Sequence, residues 1–107
     1  MNKACSMIGF ARRAGKLVVG YDAVRRGLED GSLQRAYLAS DLSKKTAENI
    51  RYFCDMNGLE AIDAPFTMDE VAWMINKRVG VLGITDRHMD KQLLALSRRL
   101  HPTETEE

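Results

Sequence analysis

The stretch Ile8-Gly9-Phe10-Ala11-Arg12-Arg13-Ala14-Gly15-Lys16-Leu17-Val18-Val19-Gly20 decides how the chain is organised. Ala4, Met7, Ile8, Ala11 and Ala14 recur at helical spacing, with Arg12 and Arg13 on the wetter side, so the spacing predicts a helix over 2–14. Gly15 stops it as a left-handed cap can. Lys16-Leu17-Val18-Val19 reads as a short strand, ended by Gly20. Gly20 or Asp22 can cap the next helix, which runs through Val24 and Leu28 to about Asp30. Gly27 inside that helix weakens it by about 1 kcal/mol relative to alanine.

The same alternation continues outward from this stretch. Ala36-Tyr37-Leu38-Ala39 reads as a buried strand. Asp41 or Ser43 then caps a helix with Ala47, Ile50, Phe53 and Cys54 on its inner face, closed by Asn57-Gly58. Leu59 to Ile62 is a third strand. Thr67 and Glu70 form a capping box, with Phe66 and Val71 as its hydrophobic staple. Val79 to Ile84 is the most strand-like run. Thr85-Asp86 caps a last helix that turns Met89, Leu93, Leu96 and Leu100 inward and stops at Pro102. Helices alternating with strands predict an α/β fold, with an at least partly parallel sheet covered by helices on both faces.

A chain of 107 residues has the size of one domain, expected over 1–101, with 102–107 as a frayed acidic tail. A hydrophobic fraction of 45% and a charged fraction of 29% exclude a disordered chain. Apolar runs are too short to cross a membrane, and no signal peptide is expected. Two cysteines make neither a disulfide framework nor a metal cage, so a reduced, cytoplasmic setting is expected.

Catalytic candidates are few. Cys5 and Cys54 fall on apolar helix faces, where a thiol is a small hydrophobe. His88 and His101 are too far apart in sequence for a local metal-ligand pair. Asp69 and Glu70 are explained by the helix start they occupy. The glycines of Gly80-Val81-Leu82-Gly83 match no phosphate-binding fingerprint and point to close backbone packing. Trp73 is expected as a partly buried packing residue and the methionines as gap-fillers. No enzyme activity, metal or cofactor is expected, because no residue set supplies a nucleophile, a base and its orienter.

Charge is more informative once divided. Residues 1–26 hold six basic side chains against Asp22 alone, a net +5 in a chain of net +1. The rest is mildly acidic, so one positive face is expected. Within it, Gly20 precedes a helix carrying Arg25 and Arg26 in its first turns, and Lys16 stands just upstream. A helix N-terminus offers unpaired amides and a positive dipole end to phosphate. Glycine lets a backbone approach closely, and arginine supplies a planar fork of donors. Nucleic acid is the natural partner, RNA rather than duplex DNA, since no groove-reading helix pair or finger is present.

The opening stretch resembles the start of the kink-turn-binding ribosomal protein superfamily, which includes the L-seven-Ae and L-thirty-e proteins. The likeness continues through Leu38-Ala39-Ser40-Asp41-Leu42-Ser43 with Thr46, and through Val81-Leu82-Gly83-Ile84-Thr85-Asp86. It implies a three-layer α/β/α sandwich around a four-stranded mixed sheet. It also implies a structured, kinked RNA as partner, with ribosomal proteins as further neighbours. The family motif Gly-x-Asn-Glu-x-x-Lys falls on Gly20-Tyr21-Asp22-Ala23-Val24-Arg25-Arg26: Gly20 is kept, Arg26 keeps the charge, and Asp22 and Ala23 replace the asparagine and glutamate. Lys16 matches the lysine of the family's Gly-Lys pair. The family's second RNA-contacting loop is expected at Ile84, Thr85, Asp86, Arg87 and His88. With Arg12 and Arg13 on the basic face, these are the expected RNA-binding residues. Ala23 removes a base-edge acceptor, which lowers sequence discrimination while phosphate contacts survive. The alternative is a protein-interaction module that kept the fold and lost RNA recognition.

Overall fold

Five helices and four strands alternate in the computed structural model, which describes residues 2–99. They are α1 (Lys3–Arg13), β1 (Leu17–Val19), α2 (Tyr21–Asp30), β2 (Arg35–Leu38), α3 (Lys44–Met56), β3 (Glu60–Asp63), α4 (Met68–Ile75), β4 (Val81–Ile84) and α5 (Arg87–Arg99). The helix starts follow local chemistry. Asn2 Oδ1 accepts from Cys5 N–H at 2.9 Å, and Ser43 Oγ accepts from Thr46 N–H at 3.3 Å. Thr67 and Glu70 satisfy each other's backbone donors as a complete capping box. Asp86 caps α5 by accepting from Met89 N–H at 2.9 Å. Asp41 does not cap α3; its Oδ1 takes Met68 N–H of α4 at 2.9 Å.

The strand order is β1-β4-β2-β3, with β4 antiparallel to both β1 and β2, and β3 parallel to β2. Leu17 pairs with Ile84, Tyr37 with Leu82 and Ala36 with Ala61. The sheet is therefore mixed, as expected. Alternation along the strands feeds two cores. Tyr37, Leu82 and Ile84 face α1, α4 and α5, where they meet Ile8, Phe66, Val71 and Leu93. Leu38 and Val81 face α2 and α3, where they meet Val24, Leu28, Leu33, Ile50 and Cys54. Both cysteines are buried, and burial pushes both thiols up from their ordinary pKa. Two glycines make room for Leu33: a Cβ on Gly27 or Gly83 would lie 2.6 or 2.7 Å from its Cδ1.

Trp73 corrects the sequence expectation, being 81% exposed. Helix α4 buries Val71 and Ile75, and Trp73, two positions from each, falls on the opposite side of the helix. Leu100 and the expected tail at 102–107 lie outside the described residues.

Between β2 and α5 the core holds charge. Asp90, 2% exposed, accepts a hydrogen bond on Oδ1 from the Tyr37 hydroxyl at 2.8 Å. Arg35 Nη1 lies 3.3 Å from Asp90 Oδ2, and its Nε lies 3.8 Å from Glu60 Oε1; these are ion-pair distances without hydrogen-bond geometry. Burial raises the Asp90 carboxyl above the ordinary range, against the opposing pull of Tyr37 and Arg35. Burial, and then the charge of Asp90, likewise raise the Tyr37 hydroxyl. Asp90→Ala takes the buried carboxylate from Arg35, which keeps only the more exposed Glu60, while the Tyr37 hydroxyl keeps its bond to the backbone carbonyl of residue 90 at 2.9 Å; the substitution is expected to cost roughly 3 kcal/mol in urea unfolding. The folded state holds the Asp90 proton more tightly than the unfolded chain, so this group's contribution falls as pH rises from 3.8 through the folded pKa. Asp90→Asn is expected to remove that decline from the pH profile of stability.

Candidate nucleic-acid interface

The antiparallel placement of β4 sorts the loops to two ends of the sheet. At one end Gly20 N–H donates to Val81 O, Ala39 N–H to Gly80 O, and Ser40 N–H to Phe66 O, at 2.9, 2.9 and 2.8 Å. Helices α2, α3 and α4 all begin there. At the other end Thr85 N–H donates to Lys16 O at 2.9 Å, and Thr85 Oγ1 lies 3.3 Å from the same oxygen. Helix α1 finishes there with Arg12 and Arg13, and α5 begins there with Arg87.

At the Gly20 end the backbone requirement is strict. Gly20 has φ 96° and ψ 149°, a conformation nearly reserved for glycine, and open space surrounds the position a Cβ would take. Its carbonyl accepts the first intrahelical bond, from Val24 N–H at 3.0 Å. The amides of Tyr21, Asp22 and Ala23 precede that bond and have no intrahelical acceptor. Side-chain oxygens of Asn2, Ser43, Thr67 and Asp86 occupy the starts of the other four helices. Helix α2 begins with no side-chain cap.

The expected site residues divide between the two ends. Tyr21 is half-buried, Asp22 is exposed, and Arg25 and Arg26 are exposed on the first turns of α2. The Arg25 guanidinium sits 4.7 Å from the Phe53 ring centroid and 3.6 Å from Glu29. Arg26 makes no ion pair among the described residues. Lys16 is exposed, but it stands at the opposite end of β1, about 13 Å from Gly20 by strand rise. It belongs with Arg12, Arg13, Thr85 and Arg87, all exposed, in a second basic group. Ile84 corrects the expectation of a contact residue: it is the last residue of β4, 1% exposed, with its side chain in the core beneath α1 and α5.

Four cations escaped the sequence reading. Lys44 and Lys45 open α3 directly after its cap, and Lys77 and Arg78 lie on the segment that returns from α4 to β4. Each pair is a basic doublet beside a helix boundary, which was the available signal. Arg78 is held by Asp69 at 2.9 Å and Asp41 at 4.0 Å, and the hydrogen bond it donates to Asp69 raises its pKa. Lys44, Lys45 and Lys77 make no ion pair among the described residues.

No family model matches the chain. The RNA-binding protein YlxQ of Enterococcus faecium is 28% identical over 90 residues, spanning 84% of this chain and 86% of that protein. The structure of a protein of unknown function from Bacillus halodurans superposes with a TM-score of 0.83 at 23% identity, covering 92% of this chain and 99% of its own. The 15.5kD RNA binding protein of Giardia lamblia superposes with a TM-score of 0.70 at 11% identity, covering 94% and 92%. The two structures share this chain's fold.

Gly20→Ala would force a side chain into the strained conformation at the start of α2. It is expected to cost about 1–3 kcal/mol, read as a lower urea midpoint at unchanged slope.

Proposed function

We propose that this protein binds structured RNA, taking a backbone phosphate on the amides of Tyr21, Asp22 and Ala23. The observation that carries this is the start of α2, which no side chain caps and which exposed cations flank. Arg26, Lys44, Lys45 and Lys77 supply charge at that end, and Arg25 stands in the second turn of α2. The name of the Enterococcus relative supports RNA as the ligand. Asp22 is not engaged as a cap, so its carboxylate opposes a phosphate placed directly above it, and the anion is drawn toward the Arg26 side. With Ala23 in place of an acceptor, positioning by phosphates outweighs base reading.

The second basic group, Lys16 with Arg12, Arg13 and Arg87, lies at the far end of edge strand β1. An RNA lying along this flank meets both groups, and a kinked element is the kind that the resemblance of the opening stretch implies. A kink-turn in ribosomal RNA, with ribosomal proteins as neighbours, fits this reading in a cytoplasmic setting.

Binding through about four phosphates is expected to give a slope of log K against log salt of about −3 to −4. It is measured by electrophoretic shift with a kink-turn duplex, an unkinked duplex and total ribosomal RNA. Affinity indifferent to salt, or no shift at low salt, rejects the reading. Arg26→Ala is expected to weaken all RNAs by a similar factor and to reduce the slope by about 1. An effect confined to one RNA contradicts its assignment to phosphate.

A further inference from the structure

The outward faces of α2 and α3 leave a groove of about 410 Å³ lined by Tyr21, Arg25, Asn49, Tyr52, Phe53 and Met56. The four α3 residues follow the i, i+3, i+4, i+7 spacing of a continuous helix stripe. Phe53 joins Ala47, Ile50 and Cys54 in packing α3 against the core and is half-buried, so its ring is fixed in place, whereas Tyr52 and Met56 of the same stripe are not part of that core. Tyr52 and Met56 are 68% and 67% exposed.

Three features describe what the groove would hold. Its rings are flat, sequence-tolerant platforms, and Phe53 already carries the Arg25 guanidinium on its face at 4.7 Å. Among its lining residues the one formal charge is that cation, so the lining complements an anion. The Asn49 amide offers both a donor and an acceptor to a base edge. Position supplies the last element. Tyr21 is the first residue of α2, so the groove opens directly from the amides of the phosphate site.

We propose that the groove between α2 and α3 is a stacking site for an unpaired nucleobase of the bound RNA, next to the phosphate held at the start of α2. This rests on the RNA-binding reading above. The base lies against Tyr52, beside the Arg25 guanidinium that covers Phe53, Arg25 exchanges Glu29 for the nucleotide's phosphate, and Asn49 meets the base edge. Paired RNA cannot use the site, because a base inside a duplex has no free face to offer. The groove thereby adds a preference for structured RNA with a single-stranded flank.

The test compares a blunt kink-turn hairpin with the same hairpin carrying a short 5′ or 3′ single-stranded extension of 5-iodouridine. The full chain is used at low salt. One extension is expected to tighten binding. Tyr52→Ala is expected to abolish that gain, a loss of about 5- to 100-fold, while leaving the blunt hairpin's affinity unchanged. Photocrosslinks are expected on the Tyr52–Met56 segment. Met56→Ala, with circular dichroism as the fold control for both variants, provides a second exposed probe and is expected to reduce the gain. Equal binding of blunt and extended RNAs, an extension effect that survives both variants, or crosslinks at Trp73 overturns the groove and leaves the phosphate reading standing. Absence of any shift with either RNA rejects the phosphate reading and the groove together. A dimer in sedimentation that Tyr52→Ala dissolves assigns the groove to a second copy of the chain and overturns the proposal.

Discussion

The insertion of β4 between β1 and β2, antiparallel to both, is the constraint on which the rest of the molecule depends. All four residues of β4 are buried, and each face of the strand serves a different core. A slip of one residue would exchange the two faces and set Leu82 and Ile84 where Val81 and Gly83 belong. Leu33 excludes that exchange, because it occupies the space a side chain at Gly83 would need. With the register held, the neighbours at each end of β4 are fixed. Its start brings Lys77 and Arg78 toward Gly20, and its end brings Thr85 and Arg87 to Lys16. The division of basic residues into two groups is thus a consequence of sheet topology.

At the Gly20 end, three helix N-termini converge and would each attract negative charge. Two are already answered from within. Ser43 serves α3; Thr67, Glu70 and Asp41 serve α4. Asp41 does double duty, accepting from Met68 N–H while facing Arg78. These internal contacts fix the loops and leave α2 as the helix start open to an external anion. The missing cap has a structural cause. The backbone conformation that joins β1 to α2 needs glycine, and glycine has no side chain with which to cap.

Much of the fold was legible because it is written locally. Gly15, Gly20, Asn57-Gly58 and the Thr67–Glu70 box mark boundaries through the chemistry of a few adjacent residues, and the structure places helix ends at each. The order of strands in the sheet is not local, and there the candidate site was misread. Lys16 and Gly20 are close in sequence, but an extended strand between them carries them apart. Ile84 looked like the beginning of a loop, whereas its pairing with Leu17 keeps it in the ladder and its parity with Leu82 turns it inward. Trp73 stands between Ala72 and Met74 and reads as a partly buried packing residue, but its angular position on α4 opposes Val71. The Tyr37–Asp90 contact joins residues 53 positions apart, and no short pattern could show it.

Pairing separates cations that hold the fold from those available to a ligand. Arg35 is turned inward toward Asp90 and Glu60, and Arg51 is bound to Asp63. Arg78 is clamped between two carboxylates, and Arg98 reaches Glu60 across from α5. Each of these has a partner on another element or across a loop, so its charge is answered and its geometry set. Arg12, Arg13, Lys16, Arg26, Lys44, Lys45 and Lys77 have no such partner among the described residues, and all are exposed. Exposed, unanswered cations of one sign contribute little to stability, because solvent screens them. They do create a field that draws in a polyanion and that salt weakens. Arg25 falls between the two classes, paired only with Glu29 one turn away on its own exposed helix face. Surface pairs of this kind are worth a few tenths of a kcal/mol, so the pair with Glu29 breaks at small cost. The arginine resting on Phe53 is therefore positioned by its aromatic neighbour and remains free to change its ionic partner.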